Sequence, residues 1–407
     1  MDYYLGVDVG GTKLDFSLAD ETGKIVAHER FDSPFLPISE QSEDGPAQFA
    51  CDVLFDDFPR AERVRLYLEH QEAAFLQHFG SVMNGRKIAA KGVSLCGRTW
   101  ERKGKIFIMG GNTPLCFAEE SGEGKGVLML DKKAPPPPET APYFIENFQV
   151  EAANDGTAAA TAQGVWYKAK RKIPPAKTGY FIVGTGFGFG VPGSSAPLEI
   201  GHVPMGFIPD LLWQKCGCSA SRKTACAENF ASGRGIQSCA RKLLSIKDDS
   251  QLEEMSRFFN QCNPAILGGE KVNLAELVRT SQLRGKAVNA EAVMELAGGR
   301  ADGLCVFTAN LAAYAVALCA VSAAQLLGLK VIGIGEGVAI KNPWHVENIA
   351  KMVQALAKDS VMLPPGFKVE LTPVKNISKY AALSLVAPRP FYPSWAEHME
   401  GDAPTTF

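Results

Sequence analysis

Two short glycine clusters are the first feature of the sequence whose residue types suggest chemistry. One is Asp8-Val9-Gly10-Gly11-Thr12-Lys13, and the other is Gly184-Thr185-Gly186-Phe187-Gly188. Glycines in a turn let backbone N–H groups approach phosphate oxygens, and a carboxylate such as that of Asp8 can hold a magnesium ion through water. Neither cluster is a Walker A loop, and Phe189 stands where a dinucleotide-binding motif needs its third glycine. Each cluster alone is therefore also compatible with a glycine turn that binds no ligand.

A polar pair, Asn154-Asp155, lies between the two clusters, where an apolar segment ends and an Ala-rich segment begins. A carboxylate at this point can accept a proton from a hydroxyl group, and the amide can bind a neighbouring hydroxyl. Asn and Asp are also the residues that most often cap the N-terminus of a helix. The pair therefore indicates either a general base or a plain helix cap.

One histidine and three cysteines, His202, Cys216, Cys218 and Cys226, follow the second cluster closely. Four such ligands are the set that closes a tetrahedral structural zinc site. If one ring nitrogen of His202 binds the metal, the other can donate to a hydroxyl, with Glu199 and Glu228 fixed beside it. The alternative is three unrelated buried thiols.

The elements that must position these residues alternate between strand-like and helix-like patterns, which predicts an α/β protein. We predict strands over 3–9, 14–18, 87–95, 105–109, 143–150 and 330–334, a strand–turn–strand unit over 180–191, and helices over 62–78, 156–172 and 344–358. Both glycine clusters then lie in hairpins, which indicates one structural unit used twice. We predict that the charged segment 98–104 is a turn and that 31–60, 119–140 and 240–297 are insertions.

Composition restricts the class of protein. A chain of 407 residues predicts two domains, and a formal net charge of −2 without a polybasic run favours neither nucleic-acid nor membrane binding. Ten cysteines at uneven spacing, with no secretory signal at the N-terminus, predict a reducing, cytoplasmic location. The uncharged stretch 303–328 is long enough to span a membrane, but its many alanines and recurring polar residues favour a buried core helix.

The chain resembles the ROK family, which contains sugar kinases and sugar-responsive repressors. The matching segments are DVGGTK, EAANDGTAAA, IVGTGFGFG, EIGH, CGC followed by CAENFASGRGI, and VIGIGEGV, in the family's order. The resemblance implies two actin-like (ribonuclease H-like) α/β domains with a ligand cleft between them. The smaller domain would comprise residues 1–165 and about 378–397, and the larger, 166–377, would carry the zinc motif.

The same resemblance implies an ATP-dependent sugar kinase that uses magnesium and a structural zinc, forms a homodimer, and has a sugar and ATP as its partners. Asp155 matches the catalytic base. Sugar-binding positions are matched by Gly97, Arg98, Asn154, Asp155, Glu199, His202 and Glu228. Phosphate-loop and adenosine positions are matched by Asp8, Gly10, Gly11, Thr12, Lys13, Gly184, Thr185, Gly186, Gly335 and Gly337. The zinc ligands would be His202, Cys216, Cys218 and Cys226.

The sequence departs from the family pattern in three places. Seven residues separate Cys218 from Cys226, Leu95-Cys96-Gly97-Arg98 replaces a small Pro-Gly turn, and Glu336 stands in a Gly-Gly-Gly motif. The Gly97-Arg98 pair resembles N-acetylmannosamine kinases more than glucokinases. We expect a hexose phosphorylated at its 6-hydroxyl, glucose first, with an N-acetylhexosamine as the alternative. A repressor would carry a helix-turn-helix ahead of the first hairpin, and that hairpin starts at residue 3, so a regulator is the less favoured reading.

Overall fold

The computed structural model describes residues 2–36, 49–55, 57–58, 60–109, 127–132, 135–194, 198–206, 208–212, 225–262, 271–358 and 362–401. The chain divides into two compact units. Unit 1 comprises Met1–Ala176, Gly190–Pro197 and Pro373–Phe407, and unit 2 comprises Lys177–Phe189 and Leu198–Thr372. The chain therefore crosses between the units several times.

The strands are β1 (Tyr3–Val9), β2 (Lys13–Asp20), β3 (Ile25–Asp32), β4 (Ile88–Leu95), β5 (Arg98–Arg102), β6 (Lys105–Met109), β7 (Val127–Asp131), β8 (Phe144–Asn154), β9 (Thr178–Val183), β10 (Phe187–Gly190), β11 (Val331–Gly335) and β12 (Lys368–Leu371). The helices are α1 (Ala50–Leu54), α2 (Arg60–Phe79), α3 (Asp155–Arg171), α4 (Glu228–Ala231), α5 (Gly233–Ser245), α6 (Asp249–Cys262), α7 (Leu274–Thr280), α8 (Ala290–Gly298), α9 (Gly303–Leu327), α10 (Gly337–Lys341), α11 (Pro343–Ala357), α12 (Ile377–Ser384) and α13 (Tyr392–Glu400).

Unit 1 is built on a five-stranded sheet in the order β3-β2-β1-β4-β8. β1, β2 and β3 form an antiparallel meander, whereas β4 runs parallel to β1 and β8 runs parallel to β4. The apolar side chains of these strands, among them Leu5, Leu14 and Phe16, are fully buried in one core. The hairpin predicted at the first glycine cluster is confirmed, because β1 and β2 pair directly across it.

Helix α12 lies directly on this sheet, and the contact depends on two glycines. A Cβ atom at Gly6 would lie 2.7 Å from Leu383 Cγ, and one at Gly92 would overlap the carbonyl of Ala382. A side chain at either position would force the helix away from the strands. Helix α3 in turn packs against both α12 and α13.

Unit 2 repeats the arrangement with a four-stranded sheet in the order β10-β9-β11-β12. β9 and β12 both run parallel to β11. The second glycine cluster joins β9 to β10, which are neighbours in the sheet, as the sequence predicted. Mixed sheets with helices confirm the α/β class.

Helix α9 is apolar on nearly every face and lies in the core of unit 2, against α8 and α11. It is long and apolar enough to cross a membrane by length and composition alone, but 78% of its most apolar window is buried within the protein. This burial agrees with the predicted core helix.

The prediction of a turn over 98–104 is wrong for most of that segment. Arg98–Arg102 is β5, which pairs antiparallel with β6 in a three-stranded sheet completed by β7. Lys103 and Gly104 alone form the turn, with φ angles of 53° and 73°. A two-residue turn with both φ angles positive closes a tight hairpin, so charged residues can continue on the strand beside it.

Candidate functional site

Three of the predicted site segments meet at one edge of the sheet in unit 1. The register pairs Val9 with Leu95 and Leu95 with Asn154 on the three parallel strands. The segments after these strands are the first glycine cluster, Gly97 and Asp155. The carboxyl ends of parallel strands are where ligands bind in α/β sheets.

The turn of the first glycine cluster is held from one side by a serine. Ser33 is fully buried, its hydroxyl donates to the carbonyl of Gly10 at 2.6 Å, and its N–H donates to the carbonyl of Thr12 at 3.3 Å. Within the turn, the N–H of Gly10 donates to the carbonyl of Lys13 at 2.9 Å. Gly11 is exposed, with open space where a Cβ would stand. Ser33, which follows β3 at the start of the predicted insertion over 31–60, was not among the predicted site residues.

Asn154 caps α3, so the helix-cap alternative is confirmed for this residue. Its Oδ1 accepts the N–H of Gly156 at 3.0 Å, and its Nδ2 donates to the carbonyl of Gly97 at 2.9 Å. Gly97 has a φ of 144°, which favours glycine. The amide therefore fixes the Gly97 turn beside Asp155, whose half-buried carboxylate also accepts the Gly156 N–H, at 2.7 Å. The side chain of Arg98 lies outside the described part of the chain.

In unit 2, the loop Gly184–Gly186 is pinned to the N-terminus of α5. The N–H of Gly233 donates to the carbonyl of Gly184 at 2.7 Å, and the Arg234 guanidinium Nε donates to the carbonyl of Thr185 at 3.4 Å. Ser232 caps α5 by accepting the N–H of Gly235 at 3.0 Å. The loop and the start of this helix thus form one rigid corner.

A cavity of about 510 Å³ opens at this corner, entirely within unit 2. Its walls come from the Gly184 loop, α5, α8 and α10, and the residues are Gly184, Thr185, Gly233, Arg234, Gln237, Ala290, Glu291, Met294, Glu295, Gly337, Val338, Lys341 and Asn342. Glu291 and Lys341 form an exposed ion pair of 3.0 Å. The size of the cavity and its mixture of polar and apolar lining residues suit a small organic ligand.

Of the two glycines predicted beside the adenosine, Gly337 lines this cavity and Gly335 does not. Gly335 is buried, and a Cβ there would overlap the hydroxyl of Tyr180. Burial, followed by the nearby charge of Glu336, raises the pKa of Tyr180 well above its usual value. Gly335 is therefore required by packing.

The three polar residues predicted to bind a sugar in unit 2 form one cluster. His202 Nε2 lies 3.6 Å from a Glu199 carboxylate oxygen, and His202 Nδ1 lies 3.6 Å from one of Glu228. Glu228 Oε1 is 3.7 Å from Arg234 Nη2 and would be 3.1 Å from a Cβ at Gly186. The cluster therefore borders the same glycine loop as the 510 Å³ cavity. Arg234 contacts Glu228 of the cluster and lines the cavity, and it was not among the predicted site residues.

Two of the four predicted zinc ligands, Cys216 and Cys218, lie outside the described residues. Among the described residues, no group of three or more His, Cys, Asp or Glu side chains could hold a metal ion. The other two ligands lie on adjoining segments, because Pro204 and Cys226 form a β-bridge and the N–H of Ala227 donates to the carbonyl of Val203 at 3.0 Å. The imidazole of His202 and the buried thiol of Cys226 are therefore two groups of the kind that bind zinc, carried on paired segments.

The two sheets, each with a glycine hairpin beside parallel strands, define a two-domain actin-like α/β protein. A model of the ROK family matches residues 146–375, more than half of the sequence, and the chain belongs to that family. A search of curated protein sequences found no match.

Solved structures share the fold over nearly the whole chain. A ROK hexokinase from Thermus thermophilus is 17% identical, covers 94% of this chain and 98% of its own, and has a TM-score of 0.52. A ROK family glucokinase from Streptomyces griseus, in complex with glucose and AMPPNP, is 18% identical, covers 95% and 98%, and has a TM-score of 0.52. A ROK family transcriptional regulator, a homologue of the E. coli MLC protein, is 16% identical, covers 98% and 81%, and has a TM-score of 0.56. At these identities the likeness establishes the fold alone.

Proposed function

We propose that the chain is an ATP-dependent sugar kinase that transfers the γ-phosphate to a hexose hydroxyl, the 6-hydroxyl of glucose first. The observation that carries the proposal is the position of Arg234 in unit 2. Arg234 Nη2 lies 3.7 Å from Glu228 Oε1 of the Glu199-His202-Glu228 cluster, and the same side chain lines the 510 Å³ cavity. Phosphoryl transfer needs a sugar site and a nucleotide site that share a border.

The 510 Å³ cavity is the proposed nucleotide site. The exposed Thr185 of the Gly184 loop would approach phosphate oxygens, and the positive end of the α5 dipole favours negative charge at this corner. Arg234 is 68% exposed and can reach a phosphate from the same corner. Gly337 and α8 would contact the nucleoside. The turn Gly10–Lys13 is proposed as the second phosphate loop.

The cluster of Glu199, His202 and Glu228 is the proposed hexose site of unit 2. Two carboxylates and an imidazole can address two or three adjacent hydroxyls, whereas a sugar acid would bring like charge to Glu228, which is only 17% exposed. A neutral pyranose therefore fits better than a uronic acid. Glucose in the Streptomyces griseus structure supports the same ligand class.

Asp155 is the proposed general base. In the reaction, its carboxylate accepts the proton of the sugar hydroxyl while that oxygen bonds to the γ-phosphorus and ADP leaves. Asn154 joins the Gly97 turn to the start of α3, and the Gly156 N–H donates to the Asp155 carboxylate at 2.7 Å. A magnesium ion, held through water near Asp8, would neutralise charge on the phosphate oxygens.

A coupled assay of ADP release with glucose, mannose, fructose and the N-acetylhexosamines tests the proposal. We expect glucose to accelerate ADP release over the sugar-free rate, and Asp155→Asn to reduce turnover by at least about 10²-fold while sugar and ATP still bind. Asp249→Asn is the matched control, because Asp249 is also the first residue of a helix but is exposed and lies outside the proposed sites. If no sugar accelerates ADP release, or if Asp155→Asn turns over normally, the assignment is wrong.

The alternative within the same class is an N-acetylhexosamine kinase. The observation that favours it is the Gly97 turn, which has an unusual backbone conformation and replaces a small Pro-Gly turn. Such a turn could leave room for an N-acetyl group. A higher kcat/KM for N-acetylmannosamine than for glucose would select this alternative.

A further inference from the structure

A second cavity, of about 820 Å³, lies within unit 1 at the C-terminal end of α3. Lys168 of that helix and Lys172, the residue that follows its last turn, line the cavity together with Arg389 and Tyr392. Four prolines complete the lining, so much of the wall is apolar; they are Pro175, Pro192, Pro390 and Pro393. The cavity contains none of the residues assigned to the proposed kinase reaction. Because α3 rises about 1.5 Å per residue, Lys168 is about 20 Å along the helix from Asp155.

The charge in this cavity has one sign. Lys168, Lys172 and Arg389 contribute three positive charges, and no Asp or Glu is among the described lining residues. None of the three pairs with a carboxylate in the described part of the chain, whereas Lys170 of the same helix pairs with Glu400 at 3.4 Å. The Lys172 ammonium donates to the carbonyl of Ala169 at 2.8 Å, which holds it at the helix end. Three like charges around one cavity repel one another unless an anion lies between them.

The N-terminus of α13, which also lines the cavity, is a further feature that favours an anion. Helix α13 begins at Tyr392, and its N-cap residue, Phe391, makes no side-chain hydrogen bond to the first turn. Tyr392 and Pro393 line the cavity at this helix start. The helix dipole is positive at that end and adds to the field of the three cations.

We propose that this cavity binds a small organic phosphate with a ring-shaped body. The phosphate lies among Lys168, Lys172 and Arg389, where charge-assisted hydrogen bonds are strongest. The ring packs on Tyr392 and the proline side chains, which offer flat apolar surfaces. A cavity of this volume accommodates a ligand of that size. The inference does not depend on the proposed kinase activity.

Calorimetric titration of the full chain tests the proposal, with phenyl phosphate, inorganic phosphate and phenol as probes at low salt. Phenyl phosphate avoids confusion with a sugar or nucleotide site. We expect one phenyl phosphate per chain, bound more tightly than inorganic phosphate, weakened by added chloride, and no binding of phenol. The double variant Lys168→Gln/Arg389→Gln should lose affinity by roughly tenfold or more.

Lys170→Gln is the matched control, because it removes one positive charge from the same helix outside the cavity. It should change the phenyl phosphate affinity by less than about twofold. The single variants Lys168→Gln and Lys172→Gln are titrated alongside and should each weaken binding, so the test does not rest on the folding of one protein. Equal affinity for phenyl phosphate and inorganic phosphate, or unchanged affinity in the double variant, overturns the proposal.

Discussion

At the scale of single residues, the least typical side chain of unit 2 is His345. It lies in the first turn of α11, is fully buried, and neither ring nitrogen has a hydrogen-bond partner among the described residues. Burial disfavours the charged imidazolium and lowers the pKa of His345 to about 4. The imidazole is therefore neutral in the folded protein at neutral pH.

We predict that His345 makes the protein less stable in mild acid. The pKa is about 4 when folded and about 6.5 when unfolded, so the unfolded chain binds more protons between these values. Stability should be complete above pH 6.5 and fall as the pH drops toward 4, by about 2 kcal/mol at pH 5 from this residue. His345→Leu should reduce the difference in unfolding free energy between pH 7 and pH 5. Urea denaturation at both pH values measures it.

His78→Leu is the control for this prediction, because the side chain of His78 is 63% exposed. Its loss should leave the pH dependence close to that of the unchanged protein. An equal effect of the two substitutions would contradict the role assigned to His345.

Residues whose role depends on neighbours along the chain could be predicted from the sequence. Residues that act through contacts with distant parts of the chain could not. Asn154 was predicted as a possible cap because Asn before an Ala-rich segment is a local signal. Its bond to Gly97, 57 residues away, has no such signal. Ser33 and Arg234 were missed for the same reason, since the loops that they contact are brought to them only by the sheets.

At the scale of elements, the turn from β11 into α10 stores backbone strain. Glu336 has φ 73° and ψ 178°, a region that glycine alone occupies readily. A Cβ at Gly184 would lie 3.5 Å from Glu336 Cβ, so the strained turn faces the proposed phosphate loop. Strain of this kind is held in place by surrounding structure and is often found at functional sites.

We predict that Glu336→Gly stabilises the protein against urea. The strain relieved is about 1–3 kcal/mol, and the added flexibility of the unfolded chain costs about 0.5–1 kcal/mol, so the expected gain is about 1 kcal/mol. Glu336→Ala keeps the Cβ and is the matched control, which should give no such gain. If both variants are equally stabilised, the carboxylate rather than the backbone is responsible.

We further predict one zinc per chain, held by His202, Cys216, Cys218 and Cys226. The paired segments that carry His202 and Cys226 also carry Glu228, so loss of the metal should loosen the proposed hexose site. Elemental analysis of the purified protein should find zinc, and Cys216→Ser should lose it along with several degrees of thermal stability. Cys96→Ser should retain zinc. If the purified, unchanged protein contains no zinc and melts at the same temperature as Cys216→Ser, the zinc site is ruled out.

Element types were predictable where local patterns were strong. The alternating and buried apolar runs of β1, β4 and β11, and the long apolar α9, follow directly from their sequences. β5 was not predictable, because Glu101 is of a residue type under-represented in strands and because its pairing with β6 depends on a partner segment. Trp100 and Phe107, which stack across this pair at 5.5 Å, are the only local hint of the pairing that we find among the described residues.

At the scale of the whole molecule, the sequence predicted one plan used twice, and both sheets have it. Each begins with a hairpin around a glycine cluster and continues with parallel strands. The sequence could not reveal the difference between the units. Unit 1 has a third meander strand and the α12 contact made possible by Gly6 and Gly92, whereas unit 2 buries α9 instead.

The division into two units, with the proposed nucleotide cavity wholly inside unit 2, leads to the last prediction. Ligand binding protects amides near the ligand and stabilises the cooperative unit that contains it. We therefore expect ADP with magnesium, without sugar, to slow hydrogen exchange in peptides covering 184–186, 233–237 and 290–295. Peptides covering α2 of unit 1, residues 62–78, should exchange at an unchanged rate. Arg234→Gln should abolish most of the protection because it removes the exposed guanidinium, while the hydrogen bond from the Gly233 N–H to the Gly184 carbonyl still holds the loop. Protection confined to other peptides, or the same protection in Arg234→Gln, would place the nucleotide elsewhere.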